Sequence, residues 1–258
     1  MRVAFIGANG RMGRSMIEGV TGEKDIQIVG AVDLNGVGNE IAADSGVYIE
    51  EDLETMIRTK NPDVIVDFTS PLVIKENIMK VLSQKKHVVV GTTGLSTTDL
   101  DEIDAEARKV GRVVFVAPNF ALGAVLMMEF SARAAKYFPH VEVIELHHDQ
   151  KKDAPSGTAV KTLEMMAAER EKVRQGAADE IEKIPGSRGG EYEGMRVHSV
   201  RLPGYVAHQE VIFGGKGQTL TIRHDSMSRE SFVAGLLLAL RSIGDQKSGL
   251  VYGLENIL

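Results

Sequence analysis

The chain has 258 residues, 43% apolar and 26% charged, which suits one large or two modest soluble globular domains and excludes a fibrous or disordered polymer. Its 30 Lys and Arg against 36 Asp and Glu leave a formal charge of −6, so nothing draws it generally to nucleic acid or anionic membrane, and an anionic ligand must be met by local positive groups. The absence of cysteine excludes disulfides, thiolate metal sites and a cysteine nucleophile.

The first apolar run, VAFI (3–6), stops at Gly7, too short for a signal peptide or anchor, and no later run reaches the length of a membrane span; a cytoplasmic chain is expected. Further runs rich in Val, Ile and Phe follow: IQIVGAVD (26–33), DVIVDF (63–68), HVVVG (87–91) and RVVFVA (112–117). Each is too short for a helix and β-branched enough for a buried strand. The segments between them, 11–21, 51–58, 71–84 and 97–110, have the apolar spacing of helices. Strand–helix alternation predicts a parallel sheet covered on both faces, an α/β domain of Rossmann-like type.

After Pro118 the rhythm changes. A long apolar helix is expected over 121–138, a strand over 141–146, a second helix from about Gly157 to Gln175, and a Gly-rich charged loop over about 176–195. RVHSVRL (196–202), YVAHQEVIF (205–213) and QTLTIRH (218–224) then follow as strands without intervening helices, which predicts a second, α+β domain on a mixed or antiparallel sheet. A last helix covers about 229–243. The expected boundaries are 1–119 for the first domain, 120–227 for the second, and 228–258 packing back on the first.

VAFIGANGRMGRSMIEG places Gly7, Gly10 and Gly13 between the first strand and the first helix. Glycines there let the backbone turn tightly and approach a pyrophosphate whose charge sits at the helix N-terminus, and Arg11 and Arg14 add positive charge. A bare glycine triplet equally suits a plain turn; here the motif also follows a strand, opens a helix and precedes an acid, Asp33, at the end of the next strand. A dinucleotide site is therefore predicted. The Asp33 carboxylate suits a ribose hydroxyl and repels a 2′-phosphate, and neither Leu34 nor Asn35 offsets it, so NADH is favoured with NADPH left open. DFTSP (67–71) and GTTG (91–94), small and hydroxylated, sit at strand ends where such sheets bind ligands.

HHDQKKDAPSGTA (147–159) is the second constellation. Pro155-Ser156-Gly157-Thr158 reads as a helix start able to hold a carboxylate or phosphate, with His147 and Lys151 beside it to move protons or neutralise charge. Adjacent residues of a strand face opposite ways, so if the strand continues through both histidines, at most one of His147 and His148 faces a given cleft. A zinc site with Asp149 fits poorly, for the same reason and for want of a third histidine at helical spacing; no metal is expected. A serine hydrolase lacks its G-x-S-x-G elbow.

In order and spacing, GANGRMG, DFTSP, GTTG, APNFALG, ELHHxxKxDAPSGTA, SVRLPGYVAHQEVIFG and SRESFVAGLLLAL resemble the 4-hydroxy-tetrahydrodipicolinate reductase (dihydrodipicolinate reductase) family of bacterial lysine and diaminopimelate biosynthesis. The resemblance covers nearly the whole chain. It implies a two-domain NADH- or NADPH-dependent reductase of a cyclic dicarboxylated imine, a homotetramer joined through the second domain. It implies that Gly7, Ala8, Asn9, Gly10, Arg11, Met12 and Asp33 bind the dinucleotide, with Gly91, Thr92, Thr93, Ala117, Pro118, Asn119 and Phe120 at its nicotinamide end. It implies His147 as proton donor or acceptor, Lys151 as a second donor, and His148, Gly157 and Thr158 as substrate-binding residues. Family members often carry basic residues where this chain has Asp149 and Gln150, and just after the ribose-binding acid. The competing readings are a related NAD(P)-dependent reductase of another carboxylated substrate and a dinucleotide-binding regulatory protein; the intact His147 and Lys151 set argues against the latter.

Overall fold

The β-branched runs of the first half become strands of one sheet in the computed structural model, which describes residues 1–258. They are β1 (Arg2–Ile6), β2 (Gln27–Val32), the two-residue β3 (Ile49–Glu50), β4 (Val64–Asp67), β5 (His87–Val90) and β6 (Val113–Val116). Their order is β3-β2-β1-β4-β5-β6, every pairing is parallel, and a seventh strand from the end of the chain extends the β6 edge. Val64, Ile65, Val66, Val88, Val89 and Val90 are all buried, which explains why these runs show no polar alternation.

Helices α1 (Arg11–Val20), α2 (Leu53–Lys60), α3 (Ile74–Ser83) and α4 (Thr97–Val110) cover the sheet. α1 buries Gly13, Met16, Ile17 and Val20, the spacing of one helical face. α4 is framed by its own residues: a Ser96–Asp99 capping box opens it and Gly111, at φ +67°, closes it. β1 lies between β2 and β4, so consecutive crossovers leave it in opposite directions, and a crevice opens outside the carboxyl ends of β1 and β4.

Residues Ala121–Ser228 form a separate compact unit, and Arg229–Leu258 belong with Met1–Phe120. The second unit holds α5 (Leu122–Ala135), β7 (His140–His147), α6 (Gly157–Ala167), β8 (Gly190–Tyr192), β9 (Met195–Arg201), β10 (Ala207–Gly215) and β11 (Gln218–Ser226). Its sheet runs β11-β10-β7-β9-β8 and is mixed, with β7 and β9 parallel and the other pairs antiparallel. Val141, Val143, Val211 and Phe213 on one face pack with Ala159, Leu163 and Met166 of α6. Glu142, Ile144 and Leu146 alternate onto the other face.

Three expectations need correction. α6 stops at Ala167 rather than Gln175, because the polar residues beyond it bond to backbone elsewhere. Arg170 donates to the carbonyls of Pro139 and Glu193, and the Gln175 amide bonds both the N–H and the C=O of Val141, ahead of the point where β9 begins to pair with β7. The expected loop 176–195 contains β8, joined to β9 by Glu193-Gly194, both at positive φ (47° and 79°), a type I′ hairpin. The last helix is a 3₁₀ turn, Arg229–Phe232, followed by α7 (Val233–Ser242), after which β12 (Gly249–Tyr252) pairs with β6. No helix is long and apolar enough to cross a membrane.

Candidate active site

At the end of β1 the chain turns through Gly7 at φ +74°, where a Cβ would stand 2.5 Å from the Phe68 carbonyl oxygen. A Cβ on Gly13 would run into the Gly7 carbonyl, so α1 can approach the turn this closely only with glycine there. Gly10 is the N-cap of α1 and contributes no side-chain cap, and no acid lies in the first turn, so the positive end of the helix is not countered locally.

Asp33 follows β2, and both of its oxygens are held: Oδ2 accepts from the Asn9 N–H and Oδ1 from the Asn35 N–H, each at 2.9 Å. The Asn9 side-chain Oδ1 in turn accepts from the Arg14 guanidinium. Gly7, Asn9, Gly10 and Asp33 line one cleft of about 550 Å³, whose other wall includes Phe68, Thr69, Ser70 and Val73. Arg11 is exposed, and Ala8 is buried beneath the turn outside that cleft.

The carboxyl ends of β4, β5 and β6 lie side by side, and the loops leaving them are tied at two points. The first is the Phe68 ring, 5.9 Å from that of Phe120 and packed so closely on Gly91 that no side chain fits there. The second is Asp67, fully buried, which accepts from the Thr69 N–H and hydroxyl, the Asn77 amide and the Thr92 hydroxyl. Burial still pushes its carboxyl above the ordinary value, against those hydrogen bonds. Thr92 and Ala117 are buried with this group, whereas Thr93 and Pro118 are exposed and Asn119 half-buried.

In the second unit His147 is the last residue of β7, and His148 lies exposed beyond it. A turn closed by the Lys151 N–H on the His148 carbonyl brings Lys151 back beside the strand end, where its ammonium bonds Asp153 at 2.8 and 2.9 Å. Ser156 caps α6 through the Ala159 N–H, so Gly157 and Thr158 occupy the first helical turn. A Cβ at Gly157 would meet nothing within 4 Å; that side of the helix start is open.

Beneath His147 lies Glu145, two residues earlier on the same strand face and wholly buried. It accepts from the His147 Nδ1 at 2.5 Å, from both terminal nitrogens of Arg201 at 2.8 and 2.7 Å, and from the Ser156 N–H at 3.3 Å. Burial opposes its ionisation, but the hydrogen bonds from His147, Arg201 and Ser199 outweigh it and hold the carboxyl down to about 2. Glu145 and Arg201 did not emerge from the sequence reading. A signal existed for Glu145, an acid spaced i, i+2 from a histidine; none existed for Arg201, which reaches the site only through the β7–β9 register.

Two family models match the chain, dihydrodipicolinate reductase N-terminus over residues 1–120 and dihydrodipicolinate reductase C-terminus over residues 123–258. A 4-hydroxy-tetrahydrodipicolinate reductase of Listeria innocua is 52% identical over 265 residues, covering both chains completely, and one of Moorella thermoacetica is 53% identical over 265 residues, covering 98% of that protein. Among solved structures, a dipicolinate-bound dihydrodipicolinate reductase from Paenisporosarcina sp. TG-14 superposes with a TM-score of 0.92 at 43% identity, covering 100% of this chain and 99% of the other. An amine dehydrogenase from Mycobacterium smegmatis, at 14% identity and a TM-score of 0.66, shares the fold alone.

Proposed function

This chain belongs to the dihydrodipicolinate reductase family, and from that premise we propose how its residues divide the NAD(P)H-dependent reduction of 4-hydroxy-tetrahydrodipicolinate to tetrahydrodipicolinate, a step of lysine biosynthesis. Overall, a hydride and a proton are added and water leaves. When bound, the nicotinamide cofactor supplies the hydride; the chain has to hold it, grip a dicarboxylate and provide the proton.

Residues 7–12, with Asp33 on the ribose, hold the dinucleotide. The fit rests on the close approach at Gly7 and Gly13, which leaves no side chain between the backbone and a pyrophosphate, and on a carboxylate already aimed by two N–H groups. Gly91, Thr92, Thr93 and Ala117 to Phe120 bound the nicotinamide end, where Asp67 and Phe68 keep the loops in place. The fixed charge of Asp33, with no base at 34 or 35, favours NADH over NADPH.

His147 is the proton donor or acceptor, Lys151 is a second donor group that neutralises developing charge, and His148, Gly157 and Thr158 grip a carboxylate at the start of α6. The observation that carries this division is the turn 148–151, which returns Lys151 to the strand end occupied by His147 beside an open helix start. The relative from Paenisporosarcina was solved with dipicolinate, a planar dicarboxylate of the kind such a grip would suit. We further propose a homotetramer formed through the second unit: Ile144, Leu146, Val200 and Ile212 share the sheet face opposite α5 and α6 and give it an apolar centre.

The test follows loss of reduced-nicotinamide absorbance with substrate generated in place from pyruvate and aspartate semialdehyde by its synthase. His147→Ala and Lys151→Ala should each lower kcat by about 10²-fold or more while leaving NADH affinity unchanged. Wild-type turnover in either variant would remove that residue from its role.

A further inference from the structure

We propose that Glu145 is the positioning residue of the proton-transfer centre, one buried carboxylate that sets which nitrogen of His147 works and where the α6 grip sits. This rests on the assignment of His147 made above. Glu145 lies wholly buried, yet both oxygens are occupied by donors: Arg201 spans them, His147 Nδ1 adds to Oε2, and the Ser156 N–H adds to Oε1. A bidentate arginine is the partner that keeps a buried carboxylate ionised.

An ionised carboxylate only accepts, so His147 Nδ1 has to carry hydrogen in the neutral and the charged ring alike. Nε2 is then the one atom of the ring that can exchange a proton. The same contact stabilises the imidazolium, so the ring can hold the proton it delivers. Glu145 also reaches the other half of the site. Its Oε1 fixes the N–H of the α6 cap, and Arg201, the ion that neutralises it, donates to the Asp153 carbonyl at 2.7 Å. The ring and the loop 153–156 are thus fastened to a single charge pair.

The other groups facing this centre can be named. Arg201 comes from β9, Lys151 and Asp153 from the turn, and His148 from the strand end. β10 places Ala207 and Gln209 opposite His147 and Glu145, and the buried positions of α6 are Ala159, Thr162, Leu163 and Met166, none of which titrates. No second carboxylate lies on His147 to replace Glu145.

Glu145→Gln keeps the shape but presents an amide N–H₂ that can donate to Nδ1 and reverse the tautomer. The expected result is a fall in kcat of about 10²-fold with NADH affinity unchanged, and a shift to lower pH of the limb of the kcat profile that reports the His147 proton. In ¹⁵N-histidine-labelled protein, the neutral His147 ring should be protonated at Nδ1 in the wild type and at Nε2 in Glu145→Gln. A purely structural role would leave the tautomer and the pH limb unmoved. If Glu145→Gln unfolds because the half-buried Arg201 loses its charge partner, Glu145→Gln/Arg201→Met, which removes both charges, is measured instead with the same expectations. Wild-type kcat and pH profile in the folded variant, or an Nε2-protonated neutral ring in the wild type, would overturn the proposal. His147→Ala, run alongside, separates the two levels: normal turnover there defeats the assignment of His147, whereas impaired His147→Ala with intact Glu145→Gln defeats the role of Glu145 alone.

Discussion

Removing the Asp33 carboxylate should shift the balance between the two nicotinamide dinucleotides. Its oxygens are pinned by the N–H groups of Asn9 and Asn35 at 2.9 Å each, so the charge cannot swing aside when a phosphate arrives. At about 5 Å from a 2′-phosphate it costs roughly 3 kcal/mol per phosphate charge at an effective dielectric near 20, and about half of that where solvent and salt reach the site. A ribose hydroxyl donating to the same carboxylate contributes about 1.5–3 kcal/mol to NADH. Asn would turn an amide N–H₂ toward one of the two backbone donors, so Asp33→Ala is the better perturbation. It frees both backbone N–H groups whichever cofactor is bound, and that shared loss cancels in a ratio. The ratio of kcat/KM for NADPH to that for NADH should rise by at least about 2 kcal/mol, some 30-fold, measured with saturating second substrate at low and high salt. Wild-type discrimination should also narrow at high salt. A ratio within about threefold of wild type would show that Asp33 does not meet the ribose.

Gly13→Ala forces a methyl against the Gly7 carbonyl and should cost about 1–3 kcal/mol of stability and weaken dinucleotide binding, seen by thermal unfolding and NADH titration; an unchanged affinity would refute the close approach. Asp67 is raised by burial, so its folded form holds a proton to higher pH than its unfolded form, and its contribution is lost as pH rises above about 4. Asp67→Asn should therefore gain stability relative to wild type as pH rises above about 4 in urea titrations, and a constant difference would show that another group controls the slope. Glu145 is lowered from 4.5 to about 2, so its stabilisation is complete above the unfolded value and is lost as pH falls through the folded one. The stability gap between wild type and Glu145→Gln should narrow as pH falls from 5 toward 2, and a gap that does not change would contradict the ionised pair.

Much of the first unit was legible because its strands are buried on both faces: the unbroken apolar runs VIV (64–66) and VVV (88–90) stand out against the helices around them. β12 escaped notice since GLVY is only four residues long and its partner β6 lies more than a hundred positions earlier, a pairing no local pattern announces. β8 could have been found, for Glu193-Gly194 before an alternating strand is a hairpin signal, but the charged, glycine-rich surroundings drowned it. The overlong reading of α6 has another origin: helix-forming residues at 168–175 are spent on tertiary hydrogen bonds. In the site, the residues proposed to meet ligand come from contiguous motifs. Arg201 and Asn77, which support them, come from distant segments and owe their places to sheet register and helix packing.

The return of residues 229–258 to the first unit bears on the order in which the protein can be made. While the chain emerges from a ribosome, β1 to β6 are available early, but α7, which packs on α1 at Gly19, and the strand that completes the sheet edge come last. All of Ala121–Ser228 has emerged before then. The second unit can therefore finish folding while the first still waits with an open flank.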